Sequence, residues 1–97
     1  MKRTVRLSPK ARADLNDIWD HSLKEWGLER AEAYILTIHS IINLIDQFPA
    51  MVKSAENIRP GLLKHPIGSH VLFLRMSDKS IDVVRILHQR MDYPRHL

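Results

Sequence analysis

The sequence predicts an α+β domain, a small antiparallel β-sheet with an N-terminal two-helix hairpin packed on one face, in the order β-α-α-β-β-β. Three observations carry that expectation. Two apolar stripes of helical period fill residues 9–48 with only a glycine between them. Two runs rich in apolar and β-branched residues follow, parted by a short polar turn. The 97 residues suffice for one core and no second, so residues 1–97 are expected to form a single domain.

TVRL at 4–7 is short and alternates polar with apolar, as a half-covered strand does. Ser8 then suits a helix N-cap, and Pro9 the first helical position, where its missing N–H costs nothing. From there Ala11, Leu15, Ile18, Trp19, Leu23 and Trp26 form one apolar stripe. The stripe assigns both tryptophans to the core, while Asp14, Asp17 and Asp20 are expected on the wet side. Gly27 stands where a C-terminal glycine cap belongs. A second stripe runs through Ala31, Ile35, Ile38, Ile41, Ile42, Ile45 and Phe48 until Pro49 ends it. So short a connection implies an antiparallel helix pair.

Residues 49–69 hold three of the five prolines and two of the three glycines, and read as a loop with at most one short strand near Leu62 to Lys64. HVLFLRM (70–76) and SIDVVRILH (80–88) form a hairpin turned by Ser77, Asp78 and Lys79. Strict alternation would put Ile81, Val83, Arg85 and Leu87 on one face of the second strand, and Asp82, Val84, Ile86 and His88 on the other.

The absence of cysteine removes disulfides and thiolate metal sites and fits a reducing compartment. The N-terminus lacks a signal-peptide apolar run, and no stretch approaches the roughly 20 apolar residues that span a bilayer. The chain is therefore expected to be cytoplasmic, without a membrane partner. Its charge is polarised: residues 1–12 carry five basic residues and no acid, 13–48 two basic and seven acidic, and 49–97 eight basic and four acidic. Such a field favours an acidic partner at the basic ends.

Catalytic signatures are sparse. The six histidines are scattered with no HxxxH, HExxH or CxxC spacing, and no glycine-rich phosphate loop exists, so neither a metal nor a nucleotide cofactor is expected. What stands out is the ending RILHQRMDYPRHL. Arg85, His88 and Arg90 cluster there at a strand end, with Lys64 and His65 in the segment that could pair beside it. Cations near a scissile phosphate can stabilise developing charge, and a histidine can serve as general acid or base near neutral pH. Alternatively the cluster is a docking surface, or Arg85 and Asp92 form an internal pair that fixes the tail.

LSPKARADLNDIWDHSLKEWG, ERAEAYI, IRPGLLKHPIGSHVLFLR and VVRILHQRMDYPRHL together resemble the ParE toxins of the RelE/ParE toxin–antitoxin superfamily, nearly end to end and in the right order. The resemblance implies a RelE/ParE-like fold and a toxin that traps DNA gyrase on cut DNA. It also implies a ParD-like antitoxin, whose ribbon-helix-helix part binds DNA and whose C-terminal segment wraps the toxin. DNA would then be contacted only through the antitoxin. On this reading the protein is not an enzyme, and Lys64, His65, Arg85, His88, Arg90, Asp92 and Arg95 are the candidate gyrase-binding residues. The sister branch, typified by RelE, cleaves messenger RNA on the ribosome, and would make Arg85, His88, Arg90 and Tyr93 the catalytic group. Tyr93 before Pro94 departs from the commonest ending of the gyrase-poison branch and keeps that alternative open.

Overall fold

The computed structural model describes residues 2–97. Strand β1 (Thr4–Leu7) leads into helices α1 (Pro9–Trp26) and α2 (Leu28–Gln47). A 3₁₀ turn at Pro49–Met51 precedes strands β2 (Lys53–Ser54), β3 (Leu63–Ile67), β4 (His70–Met76) and β5 (Ser80–His88), and a last helical turn α3 (Tyr93–His96). The strands form one sheet in the order β1-β5-β4-β3-β2. The expected α+β architecture is present, and the hairpin β4–β5 turns at the expected place, held by Ser77 Oγ, which accepts from the backbone N–H groups of Lys79 and Ser80.

Two details differ from the sequence expectation. The sheet is mixed, because β1 pairs with β5 in parallel, Val5 beside Ile81 and Leu7 beside Val83. The helices α1 and α2 carry the chain from β1 at one edge to β2 at the other, and the antiparallel strands β2 to β5 return to it. The 49–69 segment holds two strands rather than one, the two-residue β2 joining β3 through Lys53–Lys64 and Ser54–Leu63.

Ser8 caps α1 as expected, its Oγ accepting from Ala11 N at 2.9 Å. Gly27 alone connects the helices, with φ +87° and ψ 174°, a backbone state closed to residues with a Cβ. Helical packing buries Ala11 and Ile18 of α1, and Ala31, Ile38, Ile42 and Ile45 of α2. Most of these meet Leu72, Leu74, Ile81, Val83 and Ile86 of the sheet in the main core. The ends of the stripes behave otherwise. Leu23, Trp26 and Phe48 are 39%, 47% and 60% exposed, so the core assignment fails for them. Leu23 stands roughly 120° from Ala11 on the helical wheel, off the buried stripe. Phe48 follows the last turn of α2, where the chain leaves for Pro49.

The alternation of β5 breaks once. Phe73 lies opposite Arg85 and Leu74 opposite Val83, so Val84 is an extra residue, a β-bulge. Beyond it the faces exchange: Ile86 joins the helix-side core with Ile81 and Val83, while Leu87 joins Phe73, Val71, Leu62 and Ala55 in a second cluster. Tyr93 and Leu97 of the C-terminal turn pack on this second cluster. The turn is a cover for the back of the sheet, a role that the sequence, read as a catalytic cluster, a docking surface or a tail fixed by an Arg85–Asp92 pair, did not announce.

Gly68 turns β3 into β4 with φ +56°, and a Cβ there would stand 2.8 Å from the Tyr34 ring. Gly68→Ala is expected to cost about 3 kcal/mol in urea unfolding, from left-handed strain plus collision. In a Tyr34→Ala background the same change should cost only about 1 kcal/mol, because the strain alone remains.

Candidate functional site

Arg85 is the structural centre of the C-terminal cluster. Its Nε and Nη2 donate to the two carboxylate oxygens of Asp14, each at 2.8 Å, and its Nη1 donates to His96 O at 2.7 Å. Asp14 Oδ2 also accepts from the backbone N–H of Ile86 at 2.9 Å. The partner of Arg85 is therefore Asp14 of α1 and not Asp92. Asp14 leaves the expected wet side because it falls roughly 60° from Ala11 on the helical wheel, at the border of the buried stripe. The side chains are 16% and 11% exposed, so the pair is well shielded, and the adjoining carboxylate raises the Arg85 pKa further. One guanidinium thus ties helix, sheet and C-terminal turn together.

The other predicted site residues divide between the two faces of the sheet. Lys64 of β3 lies beside Lys53 and Phe73 on the back face, where both lysines and Tyr93 border a pocket of about 250 Å³. His65, next along β3, pairs with Leu72 and so points to the helix side. His88 is on the helix side too, in a pocket of about 450 Å³ with Ile18, Trp26, His70 and Ile86. Tyr93 lies on the back face, 5.1 Å from the Phe73 ring between centroids, its hydroxyl donating to Gln89 O at 3.0 Å. Arg90, Asp92 and Arg95 are exposed on the segment after β5. Thus Arg85, His88, Arg90 and Tyr93 do not converge on one point, as a shared reaction centre requires.

A feature that sequence reasoning missed is a row of rings across the helix side. His21 and Trp26 lie 6.4 Å apart, Trp26 and Tyr34 6.4 Å, Tyr34 and His70 5.6 Å, and His70 and His88 5.4 Å. Trp26, expected in the core, serves here instead. The Tyr34 hydroxyl donates to Ile67 O at 3.0 Å and lies 2.7 Å from His70 Nδ1, while His88 Nδ1 accepts from Arg90 N at 3.2 Å. Burial, then the neighbouring His88 and His21, lower the His70 pKa below its ordinary 6.5. Burial raises that of Tyr34. No spacing in the sequence announces this row, since its members come from α1, α2, β4 and β5. Among the described residues no group of three or more His, Cys, Asp or Glu is placed to hold a metal ion.

A third concavity, about 700 Å³, runs between β1 and the helices. Val5, Leu7, Leu15, Ile38 and Ile42 make it apolar, with Arg12 and His39 among its polar residues.

Comparison with known proteins gives consistent relatives. Residues 5–93 match the family described as ParE toxin of type II toxin-antitoxin system, parDE. The chain is 44% identical over 98 residues to Toxin ParE1 of Mycobacterium tuberculosis, covering 100% of both. It is 40% identical over 95 residues to Toxin ParE1 of Caulobacter vibrioides, covering 98% of each. Among solved structures, a chain of the chromosomal ParDE TA system from P. aeruginosa superposes with a TM-score of 0.73 at 23% identity, over 89% of this chain and 95% of that one.

Two measurements check the site's energetics. Asp14→Ala should destabilise the fold by about 3 kcal/mol, because it leaves a shielded guanidinium and the Ile86 N–H without their acceptor; chemical denaturation reads this directly. A histidine that binds its proton more weakly when folded makes stability fall as pH drops below the unfolded value of 6.5, until the folded pKa is passed. Thermal midpoints between pH 8 and pH 5 should decline accordingly, and His70→Gln should flatten the decline.

Proposed function

The chain belongs to the ParE toxin family of type II toxin–antitoxin systems, and from that premise we propose that it acts by binding and poisoning DNA gyrase and is neutralised by a ParD-like antitoxin. The observation that carries this choice over messenger RNA cleavage is the division of the candidate catalytic group. His88 sits in the helix-side pocket and Tyr93 on the back of the sheet, its hydroxyl engaged by Gln89 O. Arg85 is already paired with Asp14. A metal-independent phosphodiesterase needs its acid, base and cations around one scissile group, within hydrogen-bond reach. A docking surface has no such requirement.

The docking role falls to the surface around the end of β5 and the C-terminal turn, with Arg85 as its fixed base and Arg90 and Arg95 as exposed anchors. Planar guanidinium groups pair bidentately and stack, which makes them effective at protein interfaces. Lys64, next to Tyr93, extends the same back face, while His65 and His88 would contribute from the other side of the sheet only at its rim.

The antitoxin's C-terminal segment would lie in the apolar groove along β1, α1 and α2. β1 is an edge strand of the sheet, able to accept a further strand, and Leu28, Leu36 and Leu44 lie exposed on α2. DNA contact would belong to the antitoxin. No helix among the described residues is long and apolar enough to cross a membrane, and the proposed target places the protein in the cytoplasm.

Purified protein incubated with gyrase, ATP and supercoiled plasmid, then treated with detergent and protease, should yield linear plasmid in a dose-dependent way, and adding the antitoxin should abolish it. The double change His88→Ala with Tyr93→Phe should leave that product intact. Growth arrest without any linear product, lost in the double variant, would instead indicate the ribonuclease.

A further inference from the structure

On the back of the sheet, a pocket of about 390 Å³ lies between the start of α1 and the C-terminal turn. Lys10, Arg59, Arg85 and His96 line it, along with Val84 and Leu97, and no acidic side chain does. Lys10 and Arg59 were not singled out by the sequence, because they lie 49 positions apart and only the fold brings them together: α1 carries one and the loop before β3 the other. Both are exposed, and neither takes part in an ion pair among the described residues. Arg85 differs, since Asp14 and His96 O hold three of its five N–H groups, and it forms a fixed wall.

We infer that this pocket receives an acidic segment of the target protein, with Lys10 and Arg59 as the free cations that pair with its carboxylates. The inference rests on the reading that the toxin works by binding its target. The chemistry favours a carboxylate side chain over nucleic acid. Two free cations line the same open concavity, whose apolar residues Val84 and Leu97 match the methylenes of a glutamate. A bound nucleic-acid strand would call for a cationic track with aromatic platforms, and no aromatic side chain except His96 lines the pocket. Asp14 is then a positioning residue, because it holds Arg85, and through Arg85 the turn that closes the pocket.

The test is binding of purified toxin to immobilised gyrase subunits, with and without duplex DNA. Lys10→Glu with Arg59→Glu should slow association about tenfold, as expected for charges at an interface rim. Lys24→Glu with Arg30→Glu changes the net charge equally on exposed positions of the helical hairpin, and should alter association less than about threefold. Circular dichroism and antitoxin binding verify folding. If the double variant does not fold, Arg59→Gln, in an exposed loop, takes its place with a smaller loss in the same direction. Equal losses in both charge-reversed variants would overturn the inference, leaving only a long-range field. Binding that needs DNA and disappears with nuclease would also overturn it, assigning the cations to phosphate. Wild-type protein that binds neither gyrase subunit would instead remove the gyrase reading, and this inference with it.

Discussion

The structure depends on how the unpaired edge of β5 is satisfied. β1 pairs with β5 only as far as Leu7 beside Val83, yet β5 continues to His88. Its outward backbone groups beyond that point would lie between a sheet and a helix, where an unpaired polar group costs about 1–3 kcal/mol. Three groups near the start of α1 supply the partners. Ser8 N donates to Val83 O, Ser8 Oγ donates to Val84 O, and Asp14 accepts from Ile86 N. Ser8 simultaneously caps the helix. The helix therefore continues the sheet's hydrogen bonding with side chains where β1 stops, and its distance and rotation relative to β5 follow.

That arrangement is coupled to the bulge at Val84. The extra residue adds local twist and reverses which face the following side chains occupy. Without it, Leu87 would enter the helix-side core and Ile86 would leave it. With it, the sheet has an apolar patch on each face, and the back one needs a cover. Tyr93 and Leu97 provide it, and the Arg85–His96 hydrogen bond holds that cover in place. The same residue thus serves the edge of the sheet through Asp14 and its back through the C-terminal turn.

Much of this was legible in the sequence where the signal is local. The Ser8–Pro9 helix start, the Gly27 break, the two helices and the 77–79 turn depend on neighbouring residues and are where the sequence placed them. Signals that depend on distant partners were not. Periodicity puts Asp14 among three similar aspartates, and nothing local says that only this one faces a strand some 70 positions away. Alternation gives no hint of a bulge when Val83, Val84 and Ile86 are all apolar. The candidate site suffered most: residues adjacent in RILHQRMDYPRHL diverge onto two faces because strand geometry alternates them, while Lys10 and Arg59 arrive from elsewhere.

The two proposed binding surfaces share helix α1. Arg12 and Leu15 border the groove along β1, whereas Lys10 and Asp14, one helical turn apart, serve the pocket beside the C-terminal turn. A peptide in the groove would occupy one side of the first two turns and leave the other side open. Neutralisation then requires no shared residue. A bulky partner seated on the groove would stand within a helix diameter, about 10 Å, of the target pocket, close enough for a large target protein to collide with it. The groove offers apolar side chains beside a free strand edge, whereas the pocket offers cations, so the two surfaces select partners by different chemistry. One small domain can thus bind an antitoxin and a target through distinct chemistry, while simple exclusion keeps the two from being held together.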